Sequence, residues 1–184
     1  MIWLAPIGAV SCFLVYAVGL IPPGMTDMVL VEARVVQQAS VPESRGPPAP
    51  HGPFLRITFR SGRNLIAMAQ DSELNTYAMV VDCANRDLTL FAYGPYHRGL
   101  HTAVYTDREN PRFERLHREQ AGHYDYQIYL PMRGRFRSEA DFNRPMPAYD
   151  LRSGRRTLCV RLGGGNMAGA HFRSNEIHLA LPLQ

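Results

Sequence analysis

The side chains of this 184-residue chain that could form a reactive site are its cysteines, histidines and carboxylates. Cys12 falls in an apolar stretch, whereas Cys83 and Cys159 fall in the β-prone runs TYAMVVDC and TLCVRL. Burial in such runs raises a thiol pKa and suppresses the thiolate, which argues against a cysteine nucleophile. In an oxidising compartment Cys83 and Cys159 would instead form a disulfide if their geometry permits, adding about 4 kcal/mol on the loop-entropy account. The other reading is two buried free thiols.

His97 and His101 are separated by Arg98-Gly99-Leu100, and no histidine forms an HExxH helix or a Cys-His ligand set. The carboxylates Asp107, Glu109, Glu114 and Glu119 alternate with Arg108, Arg112, Arg115 and Arg118, the pattern of solvated ion pairs. No GxSxG elbow is present. Gly163-Gly164-Gly165-Asn166 suggests a phosphate loop, but no Lys-Ser or Lys-Thr follows and the flanks read as strands. A flexible hairpin tip or bulge is expected there. Asn166, Met167, His171, Phe172 and Arg173 would lie close by, able to enter a partner's cleft. No catalytic residue, metal site or cofactor is expected.

The elements that would position these residues are mostly strands. Met28–Ala39 is rich in β-branched residues, with Val29, Val31, Ala33 and Val35 on one period-2 face. Residues 40–53 form a Pro-rich loop. Phe54–Arg60 alternates Leu55, Ile57 and Phe59, and Ser61-Gly62 is expected to turn it into a second strand at Leu65–Met68. Further strands are expected at Thr76–Cys83, Leu88–Tyr93, Leu100–Thr106, Tyr124–Met132, Thr157–Leu162 and Glu176–Leu181. A loop is expected over Tyr93–Gly99, and a long surface loop over Arg133–Arg156. Many strands with close-set turns and little helix favour an all-β sandwich or barrel.

Ahead of this domain, Met1–Thr26 carries no charged side chain, and Ile2–Leu20 approaches the ~20 apolar residues that span hydrocarbon as a helix. Pro22, Pro23 and Gly24 end the run. No A-x-A cleavage site precedes them, which favours an uncleaved anchor over a signal peptide. The expected organisation is a membrane segment at 1–26 and an extracytoplasmic domain at 27–184. All twenty basic residues are Arg, the formal charge is +4, and acidic residues are interleaved throughout. Such a spread lacks the clustered basic face of a nucleic-acid binder.

The stretch from Asp150 through Cys159 and Gly163-Gly164-Gly165-Asn166-Met167 to Ile177 resembles the last two strands of an immunoglobulin-like β-sandwich. It departs from that pattern in having Thr157 where a tyrosine corner is expected and its only Trp, Trp3, in the apolar segment. With Cys83 and the N-terminal segment, the layout is similar to small envelope proteins that neutralise toxins delivered by type VI secretion. That resemblance implies an inner-membrane anchor, a periplasmic domain, and a cognate lipase or cell-wall hydrolase as partner. Tyr93, Tyr96, His97 and Arg98, with the 163–173 loop, are the expected contact surface, since aromatic, Met and Arg side chains are enriched in interfaces. The alternatives are an accessory subunit of an envelope complex, or a hydrolase using His97, His101 or Asp107.

Overall fold

A computed structural model describes residues 24–38, 41–42, 51–71, 74–98, 122–138, 145–167 and 169–181. Residues 1–23 of the expected membrane segment at 1–26, the strand at Leu100–Thr106 and the residues His101 and Asp107 lie outside them. Among the described residues no helix is long and apolar enough to cross a membrane.

The chain is all-β and mostly antiparallel. One sheet has the order β1 (Val29–Val36), β2 (Phe54–Ser61), β6 (Tyr124–Pro131), β5 (Tyr93–His97). The other has the order β10 (His171–Arg173), β9 (Arg156–Gly165), β3 (Asn75–Asp82), β4 (Asn85–Leu90), with β11 (Ile177–Leu181) also paired to β9. Period-2 patterning explains how they meet. Leu55, Ile57 and Phe59 of β2 oppose Leu130, Ile128 and Tyr126 of β6, and all six are buried in one cluster with Val80, Leu158, Val160, Leu162 and Leu179 of the second sheet.

Several local expectations are corrected. Leu65–Asp71 is a helix, α1, rather than the return strand of a hairpin. Asn64 caps it, its Oδ1 accepting from the Ala67 amide at 3.1 Å, and Leu65 and Ala69, four apart, enter the core. Tyr126 anchors its start by accepting from the Leu65 amide and donating to the Arg63 carbonyl, both at 2.7 Å. The expected loop at Tyr93–Gly99 contains β5, which has a cis Gly94-Pro95 bond within it. Within the expected surface loop at Arg133–Arg156, β7 (Arg133–Arg135) pairs with β8 (Ala148–Asp150), and Phe136, Met146, Tyr149 and Leu151 join the core.

Met25, inside the expected 1–26 segment, is fully buried in the main core and bridges Ser174. The chain emerging from the apolar segment is therefore fastened to the β10–β11 corner.

Candidate partner-binding face

Residues directly opposite in an antiparallel ladder share a sheet face. On β3, β9 and β10 this places Thr76, Gly164 and Phe172 on the core side, and Tyr77, Gly163 and Arg173 together on the outer side. Asn75, Gly165 and His171 form the next outer row. The glycine triplet thus lies inside β9, and the turn proper is Asn166–Ala170. Its shape comes from Asn166: the Asn166 amide donates to the Ala170 carbonyl at 3.0 Å, and Asn166 Oδ1 accepts from the Ala170 amide at 2.9 Å.

Gly163 and Gly164 are packing requirements of this sheet, whereas a Cβ on Gly165 would meet nothing closer than 3.6 Å. A Cβ on Gly164 would sit 2.4 Å from Phe172 Cε1, and one on Gly163 would meet the Tyr77 ring at 3.0 Å. Tyr77 therefore lies over a floor of bare backbone while keeping 43% of its surface exposed. Sequence reasoning missed Tyr77, which sits mid-strand in an ordinary alternating run. Met167, at the turn, is fully exposed, and His171 and Arg173 are exposed beside it. The result is an apolar tip and a cation on the β9–β10 hairpin, with the aromatic ring of Tyr77 beside them on β3.

The remaining predicted contact residues fare differently. Tyr93 and Tyr96 are buried with Phe54 and Tyr129 in a second cluster, and Phe172 is buried in the main core. His97 is buried against Tyr126, with Nδ1 2.9 Å from the Arg98 carbonyl. Of the Tyr93–Arg98 stretch only Arg98 is exposed, and its guanidinium donates to Asp125 at 3.2 Å. The two predicted contact stretches belong to different sheets.

Further along the outer side of the second sheet lies an ion-pair cluster centred on Glu176. Arg86 donates to it twice at 2.9 Å, and Arg161 and His178 each approach to 3.0 Å. The Arg86 hydrogen bonds, ahead of those from His178, hold the carboxyl down at about 2. On the first sheet, Arg60 and then Arg98 lower Asp125.

Cys83 and Cys159 are joined as a disulfide with Cα atoms 5.1 Å apart. Cys159 lies opposite Val81, so the bond ties neighbouring strands of one sheet. An immunoglobulin-type bond instead joins facing sheets through the core. His178 opposes Cys159, and Cys83, Cys159 and His178 have their ligand atoms within 4.8 Å, but the bonded sulfurs are not available as thiolates. A cavity of about 150 Å³ between His51, Phe54, Met132 and Arg152 is smaller than the ~300 Å³ at which ordinary ligand sites begin.

Comparison with protein-family models, curated proteins and solved structures finds no match to any of them.

Proposed function

We propose that the chain is a membrane-anchored periplasmic binding protein of the immunity type, which occludes a cognate antibacterial effector, a lipase or cell-wall hydrolase, through the Tyr77–Met167 face. The observation that carries the binding part is that a fully exposed Met167 and a half-exposed Tyr77 stand at the same end of a sheet whose core positions are well filled. Large apolar groups displayed on a rigid frame lose little conformational freedom on binding, and Met adapts to irregular clefts. Arg173 on the same row as Tyr77 adds a group suited to an acidic rim.

The immunity role and the periplasmic location rest on the resemblance and on the apolar Met1–Thr26 segment. An immunoglobulin-like arrangement of the two sheets belongs to the same proposal, with the disulfide moved to an outer face. The test is competition between the native host and a derivative lacking this gene. The derivative should be killed on contact by its parent and rescued by the full chain. Equal survival with and without the gene would reject the immunity role and favour the accessory-subunit alternative.

A further inference from the structure

The β1 strand is the edge of its sheet, paired with β2. Among the described residues no strand pairs with its other side. Natural edge strands are commonly blunted by charged side chains, above all Lys, by Pro, or by bulges that twist the edge away. The β1 sequence VLVEARVV contains neither Lys nor Pro, and Val29, Val31 and Val35 are 54%, 43% and 52% exposed. A bulge lies between Leu30 and Glu32, but Glu32–Val36 keeps a regular register on β2.

About Ala33 the strand is self-complementary. Glu32 and Arg34 flank it with opposite charge, and Val31 and Val35 flank those. When two identical strands pair antiparallel in one continuous sheet, facing residues must share a face, so the two-fold axis passes through a residue. An axis through Glu32 or Arg34 sets like charges opposite each other. An axis through Ala33 sets Glu32 opposite Arg34 of the second copy twice, all within the regular part of the strand. Glu32 is already oriented at this edge, 2.9 Å from Arg56 and 3.3 Å from Arg34 of its own chain.

We propose that β1 is a homodimer interface, in which two copies join their four-stranded sheets edge to edge about Ala33. The second copy is the occupant because the charge pattern is complementary to itself, and closed two-fold pairing removes both edges at once.

Sedimentation of the full chain, with detergent where its N-terminal segment requires it, should give a dimer. Glu32→Arg alone or Arg34→Glu alone should weaken it about tenfold or more, since each places like charges opposite twice. The double exchange Glu32→Arg with Arg34→Glu should restore it. In a Cys12→Ser background, Ala33→Cys should cross-link two copies on mild oxidation. Val35→Cys should not, because its copies would lie about 13 Å apart along the strand. A monomer, or a dimer indifferent to both single reversals and to the Ala33→Cys cross-link, would overturn the proposal. Indifference would assign association to another part of the chain.

Discussion

The side-chain amide of Asn175 grips Met28 at two points, its Oδ1 accepting from the Met28 amide at 2.9 Å and its Nδ2 donating to the Met28 carbonyl at 2.8 Å. The Asn175 backbone amide adds a bond to the Met25 carbonyl at 2.9 Å. These bonds fix the entering chain while Met25 and Met28 fill the core beneath it. Asn175→Ala should cost about 2 kcal/mol, because each partly buried hydrogen bond contributes about 1. Urea denaturation of the full chain checks the value. A loss within ~0.5 kcal/mol, the range of an ordinary surface change, would mean that water replaces the side chain.

Gly164→Ala should destabilise by about 1–3 kcal/mol, as overpacking does in a filled core, because its Cβ would fall 2.4 Å from Phe172 Cε1. Phe172→Leu in the same chain should make Gly164→Ala less damaging than it is alone. A double-mutant cycle measured by chemical denaturation reads that coupling. Additive losses would show that the ring is not what excludes the methyl group.

Removing the Cys83–Cys159 bond by replacing both residues with Ser should lower stability by about 3–4 kcal/mol, since it closes a separation of 76 residues. The loss should appear as a lower denaturation midpoint than that of the oxidised chain. Equal midpoints would mean that the cross-link does not reduce the freedom of the unfolded ensemble.

Glu176 gives a sign for the acid response. Its folded pKa is about 2, below the ordinary 4.5, so the stabilisation is fully present above about 4.5 and is lost as the pH falls through the folded value. Glu176→Gln should flatten this part of the stability curve below pH 4.5. The Arg60 and Arg98 bonds predict the same direction for Asp125. Thermal melts between pH 2 and pH 6 distinguish the variants, and a Glu176→Gln curve parallel to wild type would contradict the linkage.

Much of the sheet framework was legible because buried faces leave a period-2 trace. The alternation of Leu55, Ile57 and Phe59 is such a trace, and Ile177–Leu181 repeats it with Ile177, Leu179 and Leu181 buried. The misses follow from short or disguised signals. Leu65-Ile66-Ala67-Met68 is too brief to separate a helix from a strand by apolar content, and the deciding residue was the cap, Asn64. Gly94-Pro95 looks like loop chemistry yet lies inside β5, where a Cβ on Gly94 would sit 2.8 Å from the Gln127 carbonyl. β7 and β8 have three residues each, too few to show a period.

The candidate site was only half legible. Met167, His171 and Arg173 were visible as partner-type residues beside a glycine run. The reason for that run was not, since Tyr77 and Phe172 reach it from other strands. Tyr93 and Tyr96 had the composition of an interface but are core residues, because aromatic content alone does not distinguish a contact surface from a second cluster.

The most direct test of the account is contact killing of the gene-deleted host carrying the full chain with Tyr77→Ala and Met167→Asp, after verifying normal expression and an unchanged melting curve. The account predicts a folded protein that no longer protects, while the unaltered chain does. Full protection by this variant would contradict the claim that the Tyr77–Met167 face holds the effector.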